Sequence, residues 1–302
     1  MGYRSLGIGP GGPMDPFAYH VSNILAGNNN DPAVVEMHYP APEILFLDDA
    51  FIAITGMGMV ALINEVEQEC WEPCFAKKDS ILRFIKRGNG ARAYLAVRNG
   101  WIGENWLGSN STNSRIGIGG YQGRPIRKED ILEWNPGVQV NSPKNTNGNE
   151  LLKSKRIVYR EPPVLRCIHG PEWELMDMHS RELFQTSPFI VHSNSDRMGL
   201  RLTGPTLKKT DLGEMVSSPV DQGVIQLLPD GNLVILAADH QTTGGYPRAA
   251  SVIRADWPIL GQYSPLQEVS FKIVSLEEAE KLWIEQENLL QSVRELFRES
   301  IQ

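Results

Sequence analysis

Cysteine is scarce, at three in 302 residues. An odd count cannot pair fully within one chain, which favours a reducing compartment. Cys70 and Cys74, in Cys-Trp-Glu-Pro-Cys, lack the spacer of a zinc or redox hook, and no second Cys/His pair lies near them. They read as reduced, half-buried thiols, and no metal is expected. No apolar run approaches the roughly 20 residues a membrane-spanning helix needs. The opening Met1-Gly2-Tyr3-Arg4 has no signal-peptide core, so a cytoplasmic location is expected. Positive charge is also short: 29 Lys and Arg against 36 Asp and Glu give a net charge of -7, which argues against nucleic acid as a partner. A Gly-x-x-x-x-Gly-Lys-Ser/Thr phosphate loop and a Gly-x-Ser-x-Gly elbow are both absent. Conventional phosphate-loop and serine-hydrolase chemistry are thereby set aside.

What is present is a soluble composition, 41% hydrophobic and 22% charged, on a chain long enough for two domains. Gly7-Ile8-Gly9-Pro10-Gly11-Gly12 matches a dinucleotide-binding pattern, but too few residues precede it for a buried strand, and Pro10 removes a backbone donor. A helix follows, with Asp15 as N-cap, Pro16 in its first turn, Val21 and Leu25 on one face and Gly27 at its end. Short apolar runs then predict strands at residues 44–47, 51–54, 59–63, 81–85 and 93–97, and again at 164–168, 189–191, 223–228, 231–237 and 269–274. Their close spacing predicts antiparallel pairing in a barrel or sandwich. We divide the chain into an N-terminal half (1–135), a linker (136–155) rich in Asn, Pro and Gly, a C-terminal half (156–274) and a helix (275–302). Ser275 and Glu278 begin that helix as a capping box, and Ala279, Trp283, Leu290, Val293 and Phe297 stripe one side of it.

The polar segments with chemical potential lie at strand ends. The run Gly231–Ala237 leads into Asp239-His240-Gln241-Thr242-Thr243-Gly244-Gly245-Tyr246-Pro247, and the run at 189–191 leads into Ser193-Asn194-Ser195-Asp196-Arg197-Met198-Gly199. Asp196 and Arg197, adjacent in sequence, are expected to seek other partners. If strands 189–191 and 232–238 lie side by side, Arg197 can bind an anionic group while Asp239 or His240 handles protons. A structural Asp–Arg network is the competing reading, and for His240 plain solvent exposure competes with acid–base work. A third stretch, from Leu107 to Arg124, is rich in glycine and hydroxyls. It suits either a cleft lining or a surface loop needing positive φ. Spacing alone supports a two-part β protein with a polar cleft.

Six ordered motifs extend this reading. They are Gly12-Pro13-Met14-Asp15, Ala26-Gly27-Asn28, Leu107-Gly108-Ser109-x-Ser111-Thr112, Gly119-Gly120-x-x-Gly123-Arg124, Ser195-Asp196-Arg197-Met198-Gly199-x-Arg201-Leu202 and Gln241-Thr242-Thr243-Gly244-Gly245-Tyr246-Pro247. Together they resemble the biotin-dependent carboxyltransferase family, which takes in the second component of allophanate hydrolase, KipA-like proteins and the C-type component of 5-oxoprolinase. The resemblance implies a mainly β fold of two tandem cyclophilin-like β-barrels with few short helices. It also implies a KipI-like partner and a lactam-utilisation-type subunit in ATP-dependent opening of 5-oxoproline to glutamate, with ATP held by this chain or a partner. The alternatives it carries are transfer of carboxylate from carboxybiotin to urea or another amide, and antagonism of a KipI-like inhibitor of a sensor kinase. On it we assign catalysis to Asp239, Arg197, Gln241 and Thr243. Substrate binding falls to Met14, Asp15, Ser109, Ser111, Thr112, Arg124, Ser195, Asp196, Thr242, Gly244, Gly245 and Tyr246. Family members begin a strand earlier, before the Gly-Tyr found here at Gly2-Tyr3, and their Ser-Gly-Ala-Met-Asp reads Gly11-Gly12-Pro13-Met14-Asp15 here. Either the natural start lies earlier or this barrel is closed differently.

Overall fold

In a computed structural model, residues 2–29, 32–135, 158–159, 164–209 and 215–301 are described, and the linker expected at 136–155 lies outside them. The chain divides into two compact units, Asp15–Arg156 with Glu287–Gln302, and Met1–Met14 with Ile157–Gln286.

The first of these opens with helix α1 (Pro16–Leu25), whose N-cap Asp15 accepts the Ala18 N–H at 2.9 Å. Gly27 just beyond the helix takes a φ of 78°, a left-handed turn that glycine adopts without strain. Its strands are β1 (Val35–His38), β2 (Ile44–Leu45), β3 (Ala50–Gly56), β4 (Met59–Ile63), β5 (Val66–Gln68), β6 (Pro73–Ala76), β7 (Ile81–Lys86) and β8 (Arg92–Val97). They form two four-stranded sheets, ordered β1-β8-β3-β6 and β2-β7-β4-β5. Alternating residues such as Ile52, Ile54, Leu82, Leu95 and Val97 fill one core. Each such side chain contributes roughly 1.5–3 kcal/mol on full burial. Strands β1, β5 and β6 do not read as apolar runs in the sequence. The last has Pro73 in its first position, which an edge strand tolerates. Cys70 and Cys74 are free thiols, partly buried against this core.

The other unit contains β9 (Val164–His169), α2 (Met178–Thr186), β10 (Phe189–Val191), β11 (Gly199–Thr203), β12 (Ser218–Pro219), β13 (Val224–Leu227), β14 (Leu233–Leu236), β15 (Thr243–Gly244), β16 (Arg248–Val252), α3 (Trp257–Gly261) and β17 (Glu268–Ile273). Seven of these strands close a barrel in the order β10-β11-β14-β13-β16-β9-β17. All its ladders are antiparallel except β9 with β17, which run parallel. Closure leaves no unpaired edge. Leu165, Ile225, Leu227, Leu233 and Ile235 point into the barrel, where Phe184 stacks on Phe271 at 4.5 Å. The turn at Pro229–Asn232 joins β13 to β14 as expected, with Gly231 at a φ of 84° and its N–H on the Leu228 carbonyl.

The chain ends in helix α4 (Leu276–Ile301), whose Glu278 N–H is accepted by Ser275 Oγ at 3.2 Å. Ala279 and Trp283 pack with Ile253, Ala255 and Val274 in the barrel unit, while Leu290, Val293 and Phe297, assigned to the other unit, are buried. The mainly β architecture with a C-terminal helix is thus as anticipated. Among the described residues no helix is long and apolar enough to cross a membrane.

Candidate functional site

The barrel unit gathers the two polar segments at one end of β11 and β14. Strands 189–191 and 233–236 do not lie side by side: β11 runs between them, paired to both. The β10–β11 loop therefore delivers the arginine. Asp196 Oδ1 accepts the N–H groups of Met198 (2.8 Å) and Gly199 (3.3 Å), and Ser195 Oγ accepts the N–H of Arg201 (3.0 Å). These short-range bonds fold the loop tightly. Beyond the strand ends the backbones stay joined, with Ala237 N–H on the Met198 carbonyl and Asp239 N–H on the Arg197 carbonyl at 2.7 Å.

This registry aligns the side chains. Arg197 donates from Nε to Asp239 Oδ2 (2.8 Å) and from Nη2 to Asp239 Oδ1 (3.0 Å), a bidentate fork. Its Nη2 also donates to the carbonyl of Gly12 at 2.5 Å, tying the Gly-Pro-Met-Asp segment to the pair. Charge-assisted bonds contribute roughly 1.5–3 kcal/mol when dry, and less here, where the two side chains are 35% and 21% exposed. Asp239 is therefore first an orienter of Arg197. The pair stays within solvent's reach, as a site for an anionic group requires.

His240 is neither exposed nor idle. It is 1% exposed, and its Nδ1 lies 2.6 Å from the Gln241 carbonyl. A carbonyl only accepts, so Nδ1 carries the hydrogen and Nε2 a lone pair. Nε2 has no hydrogen-bond partner among the described residues and lies 3.7 Å from Asp221 Oδ1. Burial lowers the imidazole pKa and outweighs the Gln241 carbonyl and Asp221, which act the other way. Burial likewise works against the charge on Asp221, but Arg4, at 2.6 Å, and the Gln222 N–H prevail and pull its pKa down.

The remaining motif forms a ribbon. β12 pairs with β15 through Ser218–Gly244 and Pro219–Thr243, and Val220 N–H reaches the Thr242 carbonyl at 3.2 Å. Gln241 and Thr242 are half-buried, and Thr243 and Tyr246 are exposed. Beneath the ribbon, β13 contributes Gln226, 2% exposed, whose Nε2 has no hydrogen-bond partner among the described residues. An unsatisfied buried donor costs about 1–3 kcal/mol. A Cβ on Gly244 would come within 2.3 Å of that nitrogen, so any larger residue there would displace the Gln226 side chain.

The structure therefore brings together Arg197, Asp239, Ser195 and Asp196, with Gln241 to Tyr246 continuing the same chain. Met14, 1% exposed, is part of the barrel core. Asp15 is fully buried, its carboxylate capping α1 and its N–H donated to Tyr94 Oη at 2.8 Å. Both are closed to solvent, which suits a structural role for this pair.

Ser109, Ser111, Thr112 and Arg124 lie in the other unit, in an arch rich in left-handed turns. Ser109 Oγ accepts the Ser111 N–H at 3.1 Å, and Gly120 packs so closely on Thr112 that a Cβ would collide with its Oγ1. Arg124 forks onto Asp130 at 2.6 and 2.8 Å and lies over the Tyr121 ring. That guanidinium and the Arg127 N–H hold the Asp130 carboxyl well below the usual range.

Sequence reasoning missed the Gly12 carbonyl, Gln226 and the Arg4–Asp221 pair. Only Gln226 carries a signal, a lone amide inside the apolar run Val224-Ile225-Gln226-Leu227-Leu228.

The chain resembles proteins already known. The family model described as "Carboxyltransferase domain, subdomain A and B" matches residues 6–273. The chain is similar to the C-type component of 5-oxoprolinase from Escherichia coli, at 34% identity over 93% of this chain and 87% of that protein. The Haemophilus influenzae protein of the same name is 31% identical over 99% of this chain and 93% of its own length. Among solved structures, the K. lactis urea amidolyase superposes with a TM-score of 0.86 and 27% identity over 97% of this chain, which spans only 19% of that much longer protein.

Proposed function

The chain belongs to the carboxyltransferase-domain family, and we propose that within it the chain is a subunit of an ATP-dependent 5-oxoprolinase that binds and activates the lactam. The observation that carries this is the solvent-accessible Arg197–Asp239 fork beside the polar ribbon from Gln241 to Tyr246. 5-Oxoproline pairs one carboxylate with one cyclic amide, and the two halves of the site match those two groups. Arg197, held in plane by Asp239 and the Gly12 carbonyl, receives the carboxylate. Gln241, Thr242 and Thr243 orient the amide, whose carbonyl reacts only when polarised.

ATP is assigned to a partner subunit, because the Arg197 guanidinium is already shared with Asp239 and Gly12. A triphosphate calls for several donors and cations. A KipI-like subunit and a lactam-utilisation-type subunit are the partners this reading requires. The likeness to urea amidolyase over almost the whole chain supports a second reading, carboxylate transfer from a carboxybiotin on a separate carrier to urea or another amide. In that case Arg197 holds the carboxylate in transit.

Co-expression with the neighbouring subunits and an assay of ATP-dependent glutamate release, each subunit omitted in turn, tests the reading. We expect no release without this chain. Undiminished release in its absence would reject the 5-oxoprolinase role, and carboxylation of urea by the same preparation with biotin carrier would establish the second.

A further inference from the structure

The ribbon of β12 and β15 covers something that its own fold does not use. Strand β13 alternates, with Ile225 and Leu227 in the barrel core, so Gln226 between them projects to the other side, under the ribbon. It is closed off from solvent, and its Nε2 lacks any acceptor among the described residues. Gly244 lies beside it, since a Cβ there would come within 2.3 Å of the Gln226 nitrogen and 3.4 Å of Val220 Cγ1. Placing an apolar side chain at this position would satisfy the packing as well, without an orphaned donor.

The covering ribbon is short, and beyond its ladder it is held by the Val220 N–H on the Thr242 carbonyl and the Arg248 guanidinium on the Pro219 carbonyl. It pairs over two residues on each side, and Pro219 in that ladder has no N–H to donate. So short a two-stranded ribbon has little stability of its own, and such elements open locally far more readily than barrel strands. Its Thr243 face is exposed, and it continues directly from the Asp239 that grips Arg197.

We propose that Gln226 is a ligand-binding residue: when the ribbon lifts from β13, Gln226 Nε2 donates its N–H to the acceptor oxygen of a small amide or carboxylate, held against the backbone at Gly244. The inference deepens the proposed function and rests on it for the identity of the ligand, in which the lactam carbonyl is the oxygen that Gln226 would polarise. Gly244 then serves twice. Closed, it admits the Gln226 amide; open, it leaves room for the ligand.

The test uses the full chain with its glutamine side-chain amides labelled with nitrogen-15, the Gln226 pair being assigned by its loss in Gln226→Met, or in Gln226→Asn should the first fail to fold. Three probes are titrated: 5-oxoproline, urea as an amide without carboxylate, and acetate as a carboxylate without amide. We expect 5-oxoproline to shift the Gln226 amide signals. Gln226→Met should weaken its binding at least tenfold, with a melting temperature equal to or above the wild type. A shift with urea or acetate but none with 5-oxoproline keeps the Gln226 subsite and removes the lactam reading. Signals unmoved by all three probes at saturation, or equal affinity in Gln226→Met, overturn the inference.

Discussion

Two of the molecule's bidentate Arg–Asp forks, one from each unit, differ in what they join. Arg124 and Asp130 are six residues apart, and Asp130 also takes the Arg127 N–H, so the fork closes a loop upon itself. Arg197 and Asp239 are 42 residues apart and are joined to Gly12 as well, so the fork exists only once three distant segments have met. A local fork rigidifies the loop in which it sits. A long-range fork that also stays within solvent's reach marks an assembled site, because its ordering entropy has been met by the barrel beneath it; the Arg166–Asp256 fork, 90 residues apart with its carboxylate fully buried, is long-range too but only clamps the fold.

Removing the long-range arginine should have the largest effect. Arg197→Ala is expected to lower 5-oxoproline turnover in the reconstituted complex by about a hundredfold or more, as loss of a charge-assisted fork to an anion implies. The fold should survive, since the barrel core does not include Arg197; circular dichroism and a melting curve check this. Next comes Asp239→Asn, which keeps the shape but frees the guanidinium to rotate. We expect about a tenfold loss, seen mainly as a raised KM for the carboxylate-bearing substrate. Were Asp239 instead the proton acceptor, kcat would collapse and KM would hold.

How far the molecule is legible in its sequence follows the same division between local and long-range. Asp15-Pro16 announces the start of α1, Pro229 to Asn232 announces a hairpin, and Ser275 with Glu278 announces α4, because caps and turns are built from neighbouring residues. The run at 59–63 becomes β4 without change. Strand β11 escapes such a reading because Gly199-Leu200-Arg201-Leu202-Thr203 looks like the tail of a polar motif, and β16 because Arg248-Ala249-Ala250-Ser251-Val252 is built of small side chains. With β11 unseen, β10 and β14 look like neighbours, whereas in the fold the arginine reaches Asp239 from the loop that precedes β11. The burial of His240 and the orphaned amide of Gln226 depend on what covers them, which no local spacing records.

His240 gives a smaller and pH-dependent effect. Its folded pKa lies below the ordinary 6.5, chiefly through burial. The folded state therefore resists protonation that the unfolded chain accepts, so this contribution to stability is fully present above the unfolded value and is lost as pH falls through it toward the folded one. Each unit of such a difference corresponds to about 1.4 kcal/mol. Urea denaturation from pH 8 downward, on the order of one pH unit per step, should show stability declining below the ordinary imidazole range, and His240→Gln should flatten that decline. An identical slope in the variant would mean that some other group governs it.

Smallest of all should be the effect of breaking the local fork. Arg124→Ala leaves Asp130 its bond to the Arg127 N–H and leaves the arch held by its glycine turns and its Glu104–Gly120 backbone pairing. Ion pairs within water's reach contribute little to stability because water and salt screen them, and this one is partly exposed. We therefore expect turnover within about threefold of wild type and a melting temperature lowered by no more than about 2 °C. This is also the sharpest test of the comparison. If Arg124→Ala costs as much turnover as Arg197→Ala, the fork in the glycine arch binds ligand too, and sequence separation ceases to distinguish a site from a loop clamp. If instead the two variants differ by the expected factor while Arg124→Lys matches Arg124→Ala, the local fork serves the shape of its loop alone.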